Sequence, residues 1–275
     1  MKNKQQTALR ALTESAVMIA LATVLSFIKI IDMPYGGSVT IASMLPVALI
    51  SYRHGMKWGL VSAFVYGVVQ QLLGLSTLSW FTSWQSIVAI ILLDYVIAFS
   101  VIGLSGIFKK IIKNQALSLS FGCFGVAILR YICHVISGAT AWVGLSIPDH
   151  AALSFSFAYN ATYMLPETII LLVVAVYVGS MIDFKSTIPS RIKHETTPEK
   201  LGWIAPVSGL VAVSAIIADT VLVFQNIQDE DGNFVIESLA NVNWTLVIAI
   251  TAIGALIAGS LLAIRSALTS KAKNI

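Results

Sequence analysis

Four side chains that could hold a small ligand fall within apolar segments of the sequence. They are Tyr66, Asp94, His134 and Asn160. A carboxylate, an imidazole, an amide and an aromatic ring suit a small planar ligand that carries positive charge and several hydrogen-bonding edges. Because polar groups at bilayer depth are costly, they usually face a cavity or a partner. These residue types therefore predict a binding site inside a membrane protein.

The composition predicts an integral membrane protein, since 57% of the 275 residues are hydrophobic and only 11% are charged. The apolar runs are about 20 residues long, so the spans should be helices rather than barrel strands. We predict an all-α membrane fold, a six-helix core with two additional C-terminal spans. The predicted spans cover residues 8–31, 38–52, 57–75, 86–108, 117–142, 153–182, 202–224 and 242–267.

The distribution of charge predicts the orientation of these spans. With the N-terminus inside, every lysine and arginine except Lys29 and Arg130 lies on the inner side, whereas the outer loops carry Asp32, Asp149 and the acidic residues between 229 and 237. This bias favours a multi-pass protein of the cell membrane with both termini in the cytoplasm. The excess of positive charge is explained by topology, so we expect no nucleic-acid partner.

The hydrophilic stretch 183–200 predicts a domain boundary. Its sequence, DFKSTIPSRIKHETTPEK, contains two prolines and mixed charge. We expect it to be a cytoplasmic linker between a substrate-binding membrane core, residues 1–182, and a two-span extension, residues 201–275. The sequence contains no Walker-type glycine loop or GxGxxG motif, so any ATP would have to be used by another subunit.

The four polar positions come out at similar depths when residues are counted from the outer end of each span. At about 1.5 Å per residue, all four lie roughly 10 to 14 Å below the outer surface. The site should open outward. In the stretch RYICHVISGATAW, Gly138 lies one turn above His134 and would let a ring approach the backbone, while Trp142 could stack on that ring at the mouth.

Three buried charges have structural interpretations. Arg130 and Glu167 lie deeper, roughly 18 to 21 Å from the outer face on neighbouring helices, and are predicted to form a structural ion pair. Asp219 lies near the outer end of the seventh span and is expected to reach interfacial water. Alternative interpretations remain for the site itself, since Asp94 could bond a neighbouring helix and His134 could be a satisfied structural residue.

Metal and cofactor sites are not predicted. The two cysteines, Cys123 and Cys133, fall on one predicted helix about 15 Å apart, and no metal-ligand spacing is present. We also expect no enzymatic activity, because the polar residues include no plausible nucleophile constellation.

Four stretches of the sequence resemble the thiamine-specific S-component of energy-coupling factor transporters. They are MPYGGSVTIASMLPVALISYRHGMKWGLVSAFVYGVVQ, LLDYVIAF, HVISGATAW and YNATYMLPE, and the resemblance covers residues 8–182 in order. It implies a six-helix membrane subunit that binds the vitamin outside. It also implies delivery inward only together with a transmembrane coupling subunit and two ATPase subunits.

The resemblance also implies roles for individual residues. The substrate-binding positions of the family fall on Tyr35, Tyr66, Asp94, Tyr95, His134, Gly138, Trp142 and Asn160. The first span would dock on the coupling subunit through small residues, for which Ala16 and Ala20 have the required one-turn spacing.

We therefore expect a thiamine-binding membrane subunit in which Asp94 opposes the thiazolium charge. Two alternatives remain open. One is a binding subunit for a precursor such as the hydroxymethyl-pyrimidine, or for another vitamin. The other is a self-sufficient proton-coupled transporter in which Asp94 or Glu167 titrates during alternating access.

Overall fold

Helices make up most of the chain in this computed structural model, which describes residues 2–33, 36–81, 83–141, 149–192, 201–227 and 235–273. The helices are α1 (Lys2–Phe27), α2 (Leu45–His54), α3 (Met56–Leu73), α4 (Trp84–Lys110), α5 (Gln115–Ala141), α6 (Asp149–Met181), α7 (Ile204–Ile227) and α8 (Trp244–Lys273). Within the described residues, six helices are long and apolar enough to cross a membrane, namely α1 and α4 to α8. The predicted all-α membrane fold with two additional C-terminal helices is confirmed.

The second predicted span, residues 38–52, has the wrong bounds. Residues Ser38–Thr40 form a strand, β2, which pairs antiparallel with β1 (Lys29–Asp32), and α2 begins only at Leu45. The ten residues of α2 extend about 15 Å, roughly half the hydrocarbon thickness of a bilayer. Two glycines with positive φ, Gly36 and Gly37, lie at the turn of this hairpin, where other residues would be strained.

Small residues bring α2, α3, α4 and α5 into close contact. A Cβ added at Gly122 on α5 would lie 1.8 Å from the carbonyl oxygen of Ser105 on α4, so only glycine fits there. The Ser51 hydroxyl on α2 donates to the carbonyl of Gly103 at 2.5 Å, and the Ser105 hydroxyl donates to the carbonyl of Ala48 at 2.9 Å. Such close approach of backbones is the usual way to pack helices in lipid. It fixes α2 against the membrane-spanning helices.

The middle of α4 is π-helical. Residues Ile90–Ile97 form the wider π turn, after α-helical residues Trp84–Ala89, and the helix continues as α-helix and then 3₁₀-helix to Lys110. Single π segments inside α-helices are frequent at functional sites. Here the segment contains Asp94 and Tyr95, so the change of pitch sets the direction of both side chains.

The chain divides into two compact units, Met1–Leu172 and Val173–Ile275. In the second unit a short hairpin, β3 (Ile182–Asp183) and β4 (Ser190–Arg191), follows α6. Residues 193–200 lie outside the described residues, and the predicted linker at 183–200 stays a prediction.

Helices α7 and α8 pack closely within the second unit. A Cβ added at Gly254 would lie 2.5 Å from the Cβ of Ala215, and the Ser208 hydroxyl donates to the carbonyl of Ala258 at 2.9 Å. The expectation that Asp219 reaches interfacial water is wrong, because Asp219 is buried and accepts a 2.5 Å hydrogen bond from the Thr251 hydroxyl. Counting residues along one helix gave its depth but not the direction in which its side chain points.

Candidate functional site

A cavity of about 470 Å³ lies within the first unit. This volume is typical of pockets that enclose a small organic ligand, which range over roughly 300 to 1,000 Å³. The β1–β2 hairpin, the turn Leu75–Trp80 and helices α1 and α3 to α6 contribute to its wall. The predicted site residues that line it are Tyr66, Asp94, Tyr95, His134, Gly138 and Asn160. Tyr35 and Trp142 lie outside the described residues.

Asp94 and His134 form the polar centre of the cavity wall. The Nδ1 atom of His134 lies 2.8 Å from Oδ1 of Asp94, and the two side chains are 11% and 25% exposed. Because a carboxylate only accepts, this contact assigns a proton to Nδ1. The Nε2 atom of His134 is buried and has no hydrogen-bond partner among the described residues. In a neutral imidazole this nitrogen is an acceptor, so it can receive an N–H from a ligand in the cavity.

The Asn160 side chain is hydrogen-bonded within the protein through both its amide nitrogen and its amide oxygen. Its amide nitrogen donates to the carbonyl oxygen of Ser156 at 2.8 Å and to that of His134 at 3.3 Å. Its amide oxygen accepts a 2.6 Å hydrogen bond from the hydroxyl of Tyr163. Residue type and hydropathy did not single out Tyr163, although it follows Asn160 by one helical turn. Asn160 therefore ties α6 to the part of α5 that carries His134.

Aromatic rings form the side of the cavity between α3 and α4. Tyr66 is 1% exposed, and its hydroxyl donates to the carbonyl of Ala22 at 3.4 Å. Its ring meets Phe99 edge to face at 5.3 Å, and Tyr95 stacks on Phe99 at 6.2 Å. These distances are typical of favourable aromatic pairs. The rings support one another, and Phe99 at their centre has no feature in the sequence that marks it as part of a site.

The predicted pair of Arg130 and Glu167 lies together at the cavity wall. Arg130 Nη1 is 3.8 Å from Glu167 Oε2, and both residues are buried. The hydroxyl of Thr40, at the end of β2, donates to Glu167 Oε1 at 2.7 Å. Arg130 also donates to the sulfur of Met44, and its guanidinium lies 4.8 Å from the centre of the Phe99 ring. Each charge is thus compensated by an opposite charge and further polar or aromatic contacts.

The β1–β2 hairpin contributes wall residues that hydropathy could not reveal. The hydroxyl of Tyr159 donates to the carbonyl of Gly36 at 2.7 Å, which holds the hairpin against α6. A Cβ added at Gly37 would lie 2.9 Å from the ring of Tyr163. The absence of a side chain at Gly37 is what lets the hairpin approach α6, and the paired glycines in the sequence were the available signal.

Ala16 and Ala20 are apart from the cavity, on an exposed face of α1. The neighbouring Val17, Leu21 and Val24 are also exposed, so this face is apolar and includes two small residues. In lipid, small residues allow the backbone of another helix to approach closely.

Metal binding has no support in the described part of the chain, where no group of three histidine, cysteine, aspartate or glutamate side chains could hold an ion. The cavity instead combines a carboxylate, an oriented imidazole and aromatic walls. That arrangement can bind a planar cation with N–H donors.

Two sequence comparisons agree on one family. The sequence model of the family described as thiamine transporter protein (Thia_YuaJ) matches residues 12–185. The thiamine transporter ThiT of Bacillus subtilis is 36% identical over an alignment of 181 residues, and the alignment covers 62% of this chain and 90% of that protein. A solved structure of ThiT from Listeria monocytogenes covers 62% of this chain and 94% of its own, with 24% identity and a TM-score of 0.49.

Proposed function

This chain belongs to the thiamine transporter protein family, and from that premise we propose that it is a membrane subunit that binds thiamine for uptake with an ATP-driven energy-coupling module. Its relatives are named as transporters, so the chain is a transporter and not an enzyme. The family match covers the first six helices, and α7 and α8 lie beyond it.

The pairing of Asp94 with His134 inside the cavity is the observation that carries the proposal. Thiamine joins a permanently charged thiazolium ring to an aminopyrimidine ring. The Asp94 carboxylate opposes the positive charge, and the unpartnered Nε2 of His134 accepts an N–H from the pyrimidine amino group. Tyr66 and Tyr95 supply aromatic wall, and Gly138 leaves room for a ring against α5. Tyr35 and Trp142 are proposed as further binding residues.

The coupling module is what the resemblance to S-components implies, and the lack of a nucleotide-binding motif in the sequence agrees with it. We assign Ala16 and Ala20, on the exposed apolar face of α1, as the contact for the transmembrane coupling subunit. Two ATPase subunits would complete the assembly. In this arrangement the subunit lies in the cell membrane with both termini in the cytoplasm, as the distribution of basic residues favours.

Uptake of labelled thiamine tests the proposal. The chain is expressed in cells that lack thiamine uptake, with and without the coupling subunit and ATPases. We expect uptake only in cells that contain the complete module. The purified chain should bind thiamine without the module. Calorimetry with thiamine and with the hydroxymethyl-pyrimidine alone separates a vitamin-binding subunit from a precursor-binding one. No thiamine binding by the purified chain would contradict the proposal.

A second candidate function is favoured by one feature of the C-terminal unit. Asp219 is buried between α7 and α8, and its Oδ1 atom has no hydrogen-bond partner in the described part of the chain. Buried carboxylates in spans often belong to proton pathways, so this one supports a stand-alone proton-coupled transporter of thiamine or a related precursor. That alternative predicts uptake by this chain alone, which an uncoupler abolishes.

A further inference from the structure

The turn Leu75–Trp80 connects α3 to α4 at the edge of the cavity. It is a 3₁₀-helix, and its Ser76, Thr77 and Trp80 line the cavity together with the flanking Gly74 and Phe81. By the orientation proposed above, this turn lies on the outer side of the membrane, where the vitamin arrives. A side chain here is therefore placed to contact a ligand at the entrance.

Apolar contacts fix the backbone of this turn on both sides of Trp80. Phe81 is buried in a cluster with Ile90 and Ala141, and Leu78 packs against the same cluster. On the other side, a Cβ added at Gly74 would lie 2.3 Å from the hydroxyl of Tyr95. The turn thus rests on α4 and α5, the two helices that carry Asp94 and His134, and the position of Trp80 is set by the same elements.

Trp80 is 57% exposed although it lines the cavity. Other aromatic rings of the wall, those of Tyr66, Tyr159 and Tyr163, are buried. Phe27 is the other strongly exposed ring in the wall, at 63%. Of the two, the indole has the stronger attraction for a cation over its face.

We propose that Trp80 is a binding residue, whose indole stacks on the vitamin at the mouth of the cavity and closes the side of the site formed by the α3–α4 turn. The proposal rests on the proposed function, since it takes thiamine as the ligand. It adds an aromatic face that hydropathy does not single out, because a tryptophan between two spans is usually explained by the aromatic belt at the membrane surface.

Trp84 provides a matched control four residues away. It is 70% exposed at the start of α4 and does not line the cavity. Four variants of the full chain are compared with the parent in detergent, Trp80→Ala, Trp80→Phe, Trp84→Ala and Trp84→Phe. The dissociation constant for thiamine is measured by calorimetry, the thermal midpoint is measured without ligand, and the change in tryptophan fluorescence on binding is recorded.

We expect Trp80→Ala to weaken binding roughly tenfold, the loss of one well-placed ring face for a cation. Trp80→Phe should keep most of the affinity but lose a large part of the fluorescence change, since phenylalanine retains a ring and not the indole. The Trp84 variants should bind as the parent does, with its full fluorescence change.

The outcomes separate this proposal from the proposed function. If the parent fails to bind thiamine, the proposed function fails and the role of Trp80 fails with it. If the parent binds thiamine and Trp80→Ala binds equally tightly, only the role of Trp80 is overturned. Equal weakening by Trp80→Ala and Trp84→Ala would also overturn it, because the effect would then come from losing any tryptophan at the membrane surface. A fluorescence change that Trp80→Phe leaves intact would likewise count against stacking.

Discussion

The Nδ1 atom of His134 lies 2.8 Å from Oδ1 of Asp94 and joins α5 to the π-helical segment of α4 across the cavity wall. The carboxylate therefore has two effects on a ligand. It holds the imidazole in one orientation with the proton on Nδ1, and it supplies negative charge at the wall of the cavity. Both effects depend on the charge of Asp94 more than on its size.

Replacing Asp94 by asparagine should weaken thiamine binding by about 2 to 4 kcal/mol, by analogy with breaking a buried charge pair from one side. The change preserves shape but removes the charge that opposes the thiazolium. Asp94→Glu should cost much less, because the charge remains. Thiazolium cannot lose its charge by deprotonation, so raising the pH should not restore the affinity of Asp94→Asn. Calorimetry on purified variants measures the difference.

The control for this prediction is Asp219→Asn. Asp219 is a second carboxylate within an apolar helix, but it is buried, accepts from the Thr251 hydroxyl, belongs to the C-terminal unit and does not line the cavity. We expect this variant to bind thiamine with the affinity of the parent. Parent-like binding by Asp94→Asn would show that the site is wrongly assigned.

Hydropathy and counting along the helices were sufficient to place Asp94, His134 and Asn160 near one another. Rise along a helix gives depth, and depth brought the three residues to one layer. It does not give rotation about the helix axis, which here depends on the π-helical segment around Asp94. For the same reason the sequence did not show that the amide of Asn160 is occupied by Ser156, His134 and Tyr163.

The β1–β2 hairpin and the turn at Trp80 could not be predicted from apolar runs. Strand β2 has three residues and is followed closely by the apolar helix α2, so hydropathy merged the two into one span. The strands are held by pairing between Lys29–Asp32 and Ser38–Thr40, a contact that no residue pattern of that length specifies. Hydropathy therefore did not show that residues of the hairpin and of the turn line the cavity.

Gly37→Ala should weaken ligand binding as well as stability. The added Cβ would lie 2.9 Å from the ring of Tyr163, so the hairpin or the ring must move, and both line the cavity. Gly55→Ala is a matched control, because Gly55 has a similar φ, +91° against +99°, but nothing within 4 Å of an added Cβ. Both variants should lose about 1 to 3 kcal/mol of unfolding free energy, because a positive φ strains a residue that has a Cβ.

Thiamine affinity distinguishes the two glycine variants. Only Gly37→Ala should show a raised dissociation constant, measured by calorimetry. Equal affinities for Gly37→Ala and Gly55→Ala would mean that the approach of the hairpin to Tyr163 does not shape the site.

Glu167→Gln should destabilise the protein by about 3 to 5 kcal/mol, because it leaves the buried Arg130 without an opposite charge. Glutamine can still accept from Thr40, so the loss reports the charge and not the hydrogen bond. Replacing both residues, Arg130→Met with Glu167→Leu, should cost less than the sum of the single changes. Denaturation of the purified proteins in mixed micelles measures these free energies, and purely additive effects would contradict a coupled pair.

Glu14 holds α1 against the end of α2 through three basic side chains. Its carboxylate accepts from Arg53 Nε at 2.7 Å and Arg10 Nε at 2.8 Å, and His54 Nε2 lies 2.7 Å from it. The Arg53 side chain is only 5% exposed, so it has little access to water as a substitute partner. We expect Glu14→Gln to lower the unfolding free energy by about 1 to 3 kcal/mol, the cost of leaving a mostly buried charge poorly paired.

An exposed ion pair in the same unit provides a control for the Glu14 prediction. Lys29 and Asp32 form a 2.9 Å pair with side chains 41% and 63% exposed, and Asp32→Asn should change the unfolding free energy by less than about 1 kcal/mol.

Because Glu14 does not line the cavity, Glu14→Gln should bind thiamine with the affinity of the parent. In cells it should still reduce uptake, since the proposed contact for the coupling subunit, Ala16 and Ala20, begins two residues further along α1. A variant that loses stability but transports at the rate of the parent would show that the position of α1 does not affect coupling.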